Sequence, residues 1–270
     1  MKKFTKILLI GCLLVTVSCN NWLDVEPKSQ VKDKDLFASE MGFKEALSGV
    51  YSLMTKEALY GKELTFGWLG VLGQEWTSVP YNYEDDQKYD FENAASEVRI
   101  DSVWTGLYNA IANANKLLKE LEGKENLFSG DNYFIIKGEV LALRAYLHFD
   151  LLRIFGASCT VGMERIAIPY VTEYAPTIFP QEKVGDFVGK VLNDLQDAAK
   201  CLENDPILTG RTVSEIDDNG YLMNRQVHLN YYAVKGLMAR VYLYKGDYAN
   251  AEVCATVSYT HLTLPTILLV

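Results

Sequence analysis

The sequence is poor in metal-binding residue types and in positive charge. It contains three histidines and five cysteines among 270 residues, with no Cys-x-x-Cys pair and no Cys/His spacing typical of zinc sites. Lysine and arginine number 26 against 35 aspartates and glutamates, which gives a formal net charge of −9. Nucleic acids and anionic membrane surfaces are bound through clustered lysine and arginine. We therefore expect no metal, no cofactor and no contact with nucleic acid.

Catalytic motifs are also missing. The chain has no Gly-x-Ser-x-Gly nucleophile motif and no phosphate-binding glycine-rich loop. A glycoside hydrolase would need only two carboxylates about 5–10 Å apart, one of them with a raised pKa, and a linear sequence does not exclude that arrangement. An enzyme of this kind stays as the least favoured alternative, and we assign no catalytic residue.

The clearest apolar run lies at the N-terminus. Three lysines in the first six residues precede the apolar segment Ile7–Val17, and small residues follow it up to Ser18. The segment is too short to span a bilayer, and this order of charge, apolar run and small residues is typical of an export signal. Residues 1–18 are therefore predicted to be a signal peptide.

Cys19 stands directly after the predicted cleavage point. A cysteine there resembles the lipobox of bacterial lipoproteins, in which it would carry a thioether-linked diacylglycerol. One acyl chain binds a membrane only marginally, at about 0.8 kcal/mol per buried methylene, so stable anchoring takes several chains. We expect residues 19–35 to form a lipidated N-terminus and tether. An ordinary secretory signal with a chance cysteine is the alternative, and a lipobox at Cys12 would leave too short an apolar run.

Three cysteines remain in the body of the protein, Cys159, Cys201 and Cys254. Without metal-binding spacing they are expected to be buried free thiols, and one disulfide among them is left open.

Apolar residues recur with the 3.6-residue period of a helix over most of the chain. The predicted helices cover Leu36–Leu53, a stretch from Asp101 or Ser102 to Gly123, Tyr133–Phe155, Val184–Leu202, Val227–Tyr244 and Tyr248–Ala255. Tyr133–Phe155 is apolar on nearly every face, which predicts a central buried helix. Strand signals are few, and the sequence predicts an all-α fold with long loops.

The last predicted helix pair carries a repeat pattern. Ala239, Tyr242, Gly246, Tyr248 and Ala251 have spacings like those of the small, aromatic and turn-glycine positions of a tetratricopeptide repeat. The alanines would let two antiparallel helices approach closely, the glycine would permit a tight turn, and the tyrosines would fill the groove to the next hairpin. We expect a tetratricopeptide-repeat-like helical scaffold.

The final residues depart from this pattern. Val257–Thr266 looks like the translation of a transposase adaptor used to build sequencing libraries. We therefore expect a helical domain over residues 36–256, a non-native tail over residues 257–270, and a natural protein that continues differently after about Thr256. His261 takes no part in any predicted site.

Several segments together resemble one protein family. They are Trp22–Pro27 after Cys19, Phe43–Tyr51, Trp104–Asn115, Lys137–Gly156, Ile168–Val171 and Leu237–Leu243. In combination they are similar to the RagB/SusD family of outer-membrane nutrient-binding lipoproteins, over residues 19–256.

The resemblance implies an all-helical, SusD-like scaffold that displays a glycan-binding face at the cell surface. It also implies a lipid-anchored lid on a TonB-dependent outer-membrane barrel transporter, which imports the captured oligosaccharide. Family members are considerably longer than this chain, so part of the binding face is expected to lie beyond Thr256. A lipid-anchored tetratricopeptide adaptor that binds protein partners is the alternative from a different functional class.

Polar residues within the family-like helices are interpreted as scaffold. Asn109 and Asn113 are predicted to hydrogen-bond across a helix contact, because asparagine is unfavourable inside helices. Glu139 and Arg144 interrupt an otherwise apolar helix, which predicts an ion pair or polar network. His148 is predicted to be a core histidine with satisfied hydrogen bonds.

The predicted ligand-binding segment is Gln74–Asp90, where aromatic and hydrogen-bonding side chains lie outside the periodic helices. Sugars are held by a ring stacked on their C–H face together with amide and carboxylate contacts to hydroxyls. The candidate contacts are Trp76, Tyr81, Asn82, Tyr83, Asp85 and Asp86. A solvated acidic loop with Trp76 in the core is the alternative, and a calcium site at Asp85–Asp86 is weaker because the spaced Asp/Asn ladder is missing.

Overall fold

A computed structural model of the chain describes residues 33–209, 221–222 and 224–267. The predicted signal peptide and Cys19 lie outside the described residues. The chain divides into two compact units, residues 1–36 and 37–270. The described part of the first unit is helix α1 (Asp33–Leu36), and all elements that follow belong to the second.

The second unit is mainly helical, which confirms the predicted class. Its α-helices are α2 (Glu40–Met54), α3 (Trp68–Leu72), α4 (Glu84–Gln87), α5 (Ala94–Leu121), α6 (Asn132–Phe155), α7 (Val184–Cys201), α8 (Pro206–Thr209), α9 (Tyr231–Lys245) and α10 (Tyr248–Ile267). Short 3₁₀ turns cover Tyr81–Tyr83, Glu125–Leu127 and Arg225–Val227. Strand β1 (Ile166–Pro169) pairs antiparallel with β2 (Gln181–Lys183), with Ile166 opposite Lys183 and Pro169 opposite Gln181.

Side-chain caps set the starts of two helices and correct the predicted boundaries. The Asn93 side chain accepts hydrogen bonds from two backbone N–H groups of the next turn, so α5 begins at Ala94 and not near Asp101. Asn230 caps α9 in the same way through the N–H of Ala233, which moves its start from Val227 to Tyr231. A helix cap depends on a single side chain and does not require apolar residues at helical spacing. Apolar periodicity alone therefore does not locate it.

Helix α6 is the centre of the core. It packs against α5 and α7, and its side chains are buried nearly all round, as predicted. Gly138 lets α7 come close, because a Cβ there would lie 2.7 Å from Leu202 Cγ and 3.0 Å from the Ala198 carbonyl oxygen. Helices α6 and α7 thus form a tightly packed pair.

Helices α9 and α10 form a second pair. Helix α9 packs against α7, and this contact connects the second pair to the first. Gly246 between them has φ +83°, the left-handed conformation that favours glycine at a helix end. Gly236 on α9 faces Ser258 on α10, so it lets the two helices approach closely, as Gly138 does for α6 and α7. Ala251 on α10 is buried. Two successive helical pairs confirm the tetratricopeptide-like scaffold. Tyr248 differs from its predicted role, since 70% of its side chain is exposed and no described helix lies over it.

Helix α10 continues past Val257 to Ile267, through most of the predicted non-native tail. The described cysteines Cys159, Cys201 and Cys254 are free thiols, of which Cys254 is buried. Among the residues with a described structure, none of the helices is long and apolar enough to cross a membrane.

Glu139 lies at the centre of a buried polar network, as predicted for a scaffold residue. Its carboxylate accepts hydrogen bonds from Tyr51 Oη (2.7 Å), Tyr221 Oη (3.1 Å) and Arg225 Nη1, and lies 3.1 Å from His228 Nδ1. Arg225 also forms a bidentate pair with Asp205, at 3.0 and 2.7 Å. We call this set, with Asp205, the Glu139 network. It joins α2 and α6 to the segment before α9.

Arg144 belongs to a second network and does not pair with Glu139. Its guanidinium makes two 2.7 Å bonds to the Asp194 carboxylate on α7 and one of 3.0 Å to Asn115 Oδ1 on α5. His148 is fully buried and satisfied, because Nε2 accepts from the Val171 N–H and Nδ1 donates to the Arg144 carbonyl, both at 2.9 Å. Burial lowers the pKa of His148 to about 3, so the ring is neutral.

The asparagine prediction is wrong in its choice of residues. Asn109 and Asn113 are exposed, and Asn113 Nδ2 donates to the Asn109 carbonyl within the same helix. Asn115 is the buried asparagine, and it donates to the Val171 carbonyl oxygen at 2.9 Å. It crosses to another segment because its side chain points from α5 toward the core.

Candidate functional site

Exposed aromatic rings concentrate in and beside the predicted ligand-binding segment. We call Gln74–Asp90 the aromatic loop; it connects α3 to α5 and contains α4. Phe66 before α3 is 59% exposed, Trp76 is 45% exposed and Tyr81 is 89% exposed. An exposed ring on a structured loop presents an apolar face on which a ligand can pack. Trp76 is therefore not a core residue, which removes the alternative interpretation of this side chain.

A groove of about 460 Å³ runs beside two of these rings, Phe66 and Trp76. Phe66, Trp76, Pro80 and Asn82 line it, and Lys62 stands at one side. Trp76 Nε1 donates to the Phe66 carbonyl oxygen at 3.2 Å, which ties the two aromatic residues together across ten positions of sequence. The groove combines apolar ring surface with an amide and an ammonium group, the side-chain types that bind sugars.

Gly70 on α3 sets the position of the Trp76 ring. A Cβ at this glycine would lie 2.9 Å from Trp76 Nε1 and 3.2 Å from Glu75 Oε2. Ordinary side-chain contacts are longer than the first of these distances, so a larger residue at this position would push the indole away. The lack of a side chain at Gly70 thus allows the Trp76 ring to take its position in the groove.

Two glutamines hold the aromatic loop closed. Gln74 Nε2 donates to the Gln87 carbonyl oxygen at 2.8 Å, and Gln87 Nε2 donates to the Trp76 carbonyl oxygen at 3.1 Å. Near the far end, Tyr89 Oη donates to the Leu72 carbonyl oxygen at 2.9 Å. Gln74 and Tyr89 have φ of 56° and 59°, a conformation that costs about 1–3 kcal/mol for a non-glycine residue. The hydrogen bonds offset this strain and keep the loop in one shape.

A cluster of charged residues supports the loop from beneath. Asp86 is fully buried and accepts hydrogen bonds from Arg99 and from Trp68 Nε1, the latter at 3.0 Å. Tyr83 is 7% exposed and donates to Glu63 Oε1 at 2.7 Å, and the Arg99 guanidinium lies 4.1 Å from the Tyr83 ring centre. Burial, followed by the Glu63 carboxylate, raises the pKa of Tyr83. We call these five residues the loop ion cluster.

The six predicted contact residues therefore divide by exposure. Trp76, Tyr81 and Asn82 face solvent, and Asp85 is half-buried. Tyr83 and Asp86 are buried, and their polar atoms bond to other members of the loop ion cluster. Asp86 therefore has a supporting position and not the surface position that was predicted, whereas Tyr83 still lines the groove with a small part of its surface. Burial follows from the 3₁₀ turn and α4, which alternate side chains between solvent and the protein body.

The calcium alternative gains no support from the geometry. Asp86 is occupied by Arg99 and Trp68. Within the described ranges, no group of three or more His, Cys, Asp or Glu side chains is arranged to hold a metal ion.

Sequence reasoning missed Lys62 and Phe66. Lys62 Nζ lies 2.9 Å from Glu57 Oε1 and 3.1 Å from Glu63 Oε1, and these carboxylates, Glu57 first, raise its pKa. Both missed residues precede α3 in a segment without periodicity, and only the folded chain brings them to the groove. Phe66 next to Gly67 was the one available signal, a large apolar residue at a turn.

A second cleft of about 490 Å³ lies between α5, α6 and the segment after β1. Its buried arginine, Arg144, is held by Asp194 and Asn115, and the exposed ring at its edge is Tyr174. The aromatic loop brings together more exposed rings than this cleft, and it is the better candidate site.

Comparison with known proteins agrees with this architecture. A model of the SusD-like family, described as starch-binding and associating with the outer membrane, matches residues 21–243. SusD-like protein P38 of Formosa agariphila is 25% identical over 207 residues, which cover 75% of this chain and 39% of that protein. The chain thus spans about two-fifths of the length of this curated relative.

Solved structures show the same fold. A SusD superfamily protein from Bacteroides fragilis superposes with a TM-score of 0.66 at 19% identity, covering 83% of this chain and 50% of that one. A laminarin-binding SusD-like protein superposes with a TM-score of 0.59 at 21% identity, covering 81% and 43% respectively. At these identities the likeness establishes the helical scaffold and leaves the ligand to be argued from the site.

Proposed function

Because the chain belongs to the SusD-like family, we propose that it is a non-catalytic, glycan-binding lipoprotein of the outer membrane that faces the cell surface. In this proposal the aromatic loop takes part in capturing an oligosaccharide, which passes to a TonB-dependent barrel transporter. Cys19 would carry the lipid anchor. The family's description as starch-binding and associating with the outer membrane supports glycan binding at that membrane. The predicted lipobox supports the lipid anchor at Cys19.

One observation carries the proposal: the half-exposed Trp76 ring stands beside a groove on a loop held in one conformation. Sugar rings stack their C–H faces on aromatic rings, and Trp76 and Phe66 offer such surfaces at the groove. Binding a flexible oligosaccharide costs conformational entropy, and a loop already ordered by Gln74 and Gln87 adds little to that cost. The groove is therefore prepared before a ligand arrives.

The affinity should be modest. One or two stacked rings contribute only part of the free energy, and the sugar's own ordering opposes it. We expect a dissociation constant between about 1 µM and 1 mM, which corresponds to about −8 to −4 kcal/mol. The laminarin-binding protein of similar fold makes laminarin oligosaccharides a sensible part of the glycan panel.

Replacing Trp76 tests the proposal. Isothermal titration uses the full-length gene product, with Cys19→Ala to keep it out of the membrane. Trp76→Ala should weaken binding of a panel oligosaccharide by about two- to tenfold, the loss expected for one stacked ring. Phe134→Ala is the matched control, because Phe134 on α6 is an aromatic residue of nearly the same exposure, 46% against 45%.

The outcomes separate the functional classes. Weaker binding with an unchanged melting temperature assigns Trp76 to the site, whereas unchanged affinity with a lowered melting temperature removes it. Analysis of the sugars after long incubation should show no shorter products, and released fragments would establish a hydrolase instead. Binding of no glycan in the panel would overturn the proposal and leave the tetratricopeptide adaptor as the alternative.

A further inference from the structure

Three aliphatic side chains line the groove beside its aromatic rings. They are Val71, Val79 and Pro80, which we call the aliphatic wall. Val71 is 3% exposed and Val79 is half-buried, so the wall reaches from the protein body to the surface. Aliphatic carbons neither donate nor accept hydrogen bonds, and they offer no π face on which a sugar ring can stack. The wall therefore suits an apolar group of a ligand.

The aromatic side chains at the groove have already used their polar hydrogens. Trp76 Nε1 donates to the Phe66 carbonyl oxygen at 3.2 Å, and Tyr83 Oη donates to Glu63 Oε1 at 2.7 Å. The indole and the phenol each have a single hydrogen to donate, so neither has one left for a ligand. Both side chains therefore present mainly carbon surface to the groove.

Hydrogen-bonding groups line the groove at its exposed residues. Ser78 contributes a hydroxyl and Asn82 an amide, and both residues are exposed. A third polar side chain is Lys62, whose ammonium lies 2.9 Å from Glu57 Oε1 and 3.1 Å from Glu63 Oε1. A bound sugar thus finds partners for its hydroxyls near solvent, whereas the buried residues of the groove offer it carbon.

From this lining we infer that the groove selects glycans whose sugar units carry a methyl group, either that of a 6-deoxy sugar or that of an N-acetyl group. The inference rests on the proposed function, since it concerns the same groove. A hydroxyl placed against the aliphatic wall would lose its hydrogen bonds to water and gain no partner. A methyl group in the same place removes apolar surface from water, which is favourable. Both effects act in the same direction.

Two matched ligand pairs test the inference by isothermal titration of the full-length gene product with Cys19→Ala. The first pair is chitotriose and cellotriose, which share their linkage and differ by an N-acetyl group against a hydroxyl at C2. The second is a trisaccharide with a terminal L-fucose and the same trisaccharide with L-galactose, which differ by a methyl against a hydroxymethyl group at C5. In one of the pairs the methyl-bearing sugar should bind about tenfold more tightly or better, a difference of about 1.4 kcal/mol. The pair that shows the difference identifies the source of the methyl group.

A variant of the aliphatic wall locates the effect. Val79→Thr replaces one methyl group of the side chain by a hydroxyl and keeps the branched shape. Affinity for the methyl-bearing glycan should fall by about threefold or more, while its hydroxyl-bearing counterpart binds as before or more tightly. Val98→Thr is the control, because Val98 on α5 is 66% exposed and is not among the residues that line the groove. An equal loss in the control would mean that the aliphatic wall is not the cause, and it would overturn the inference.

Failure of the inference differs from failure of the function. If the hydroxyl-bearing sugar binds as tightly as the methyl-bearing one in both pairs, the methyl selection is wrong while the glycan-binding proposal stands. Binding of laminarin oligosaccharides without binding of either methyl-bearing ligand has the same meaning. A methyl preference that is unchanged in Val79→Thr also overturns the inference, because the wall would not be its source. If no glycan of the panel or of the two pairs binds, the proposed function fails and the inference fails with it.

Discussion

The Glu139 network and the loop ion cluster use the same residue types in two different settings. Each joins an arginine to two carboxylates and at least one tyrosine from separate parts of the chain. The Glu139 network is buried between helices, and its hydrogen bonds connect only parts of the scaffold. The loop ion cluster lies beneath the exposed aromatic rings and holds the aromatic loop in position. Similar chemistry thus serves the stability of the scaffold in one region and the shape of the groove in the other.

Two tryptophans, Trp68 at the start of α3 and Trp76 after its end, show the same contrast. Trp68 is 3% exposed and its Nε1 donates to the buried Asp86 carboxylate, whereas Trp76 is 45% exposed and its Nε1 donates to a backbone carbonyl. They are eight positions apart in the sequence. Only the first is part of the core, so loss of the first should affect folding and loss of the second should affect binding.

The largest effect is expected from breaking the Glu139 network. Glu139→Ala removes the acceptor of Arg225, Tyr51 and Tyr221 in a fully buried place. Removing one partner of a buried ion pair costs about 3–5 kcal/mol, because the remaining charge and hydroxyls are left without it. Urea unfolding of Glu139→Ala should show this loss, with Glu252→Ala within about 0.5 kcal/mol of wild type. A small loss for Glu139→Ala would mean that water or neighbouring groups satisfy Arg225.

The next effect is pH-dependent and comes from His148. Burial lowers the pKa of His148 from 6.5 to about 3, so the unfolded chain binds a proton that the folded protein does not bind between these values. The stability from keeping His148 neutral is complete above pH 6.5 and falls as the pH falls toward 3. At pH 5 the loss relative to neutral pH is about 2 kcal/mol.

Urea unfolding at pH 7 and pH 5 measures this term as a difference between proteins. Wild type should lose about 2 kcal/mol more than His148→Gln over this interval, because the variant has no proton to bind at that position. Equal losses in both proteins would show that other groups, and not His148, titrate in this range.

The smallest expected effect on stability sharpens the comparison at the groove. Gly70→Ala places a methyl group 2.9 Å from Trp76 Nε1, so the indole must move and its bond to the Phe66 carbonyl is disturbed. Glycan affinity should fall by about threefold to tenfold, an effect near 1 kcal/mol, while the free energy of unfolding changes by about 1 kcal/mol or less. Gly189→Ala is the matched control, since a Cβ at this half-buried position of α7 meets no atom within 4 Å.

A larger loss of stability than of affinity in Gly70→Ala would indicate that this glycine serves the packing of α3 and not the position of Trp76. Intrinsic fluorescence offers an independent check, because movement of the half-exposed Trp76 ring should change its emission while the buried Trp68 stays constant.

Much of the scaffold could be predicted from local patterns. Helix α7 shows apolar periodicity over its whole length, and α6 is apolar on nearly every face. Gly246 marks a helix end through its left-handed backbone. The first turns of α5 have no such pattern, because Ala94, Ala95 and Val98 are exposed while Ser96 is buried, and the start of the helix depends on one hydrogen-bonding asparagine, Asn93. A cap acts through a single side chain, so periodicity gives no warning of it.

The position of the candidate site in the sequence could be predicted, but not which of its side chains are exposed. Composition indicates that Gln74–Asp90 is a ligand loop, since aromatics and amides cluster there without helical period. It does not distinguish Asp85 from Asp86 or Tyr81 from Tyr83, whose exposures differ because the loop turns one side toward Arg99. Lys62 and Phe66 enter the groove from a separate segment that no local pattern connects to it.

The sequence by itself determined the family, the helical class and the region that carries exposed aromatics, because each of these depends on neighbouring residues and on spacing along the chain. The tertiary structure alone decided which side chains of that region reach solvent, what supports them and which residues from other segments line the groove. The physical reason is that burial and electrostatic partnership depend on distances between residues far apart in sequence. Arg99 beneath the loop and Gly70 under Trp76 acquire their roles only when the helices have packed.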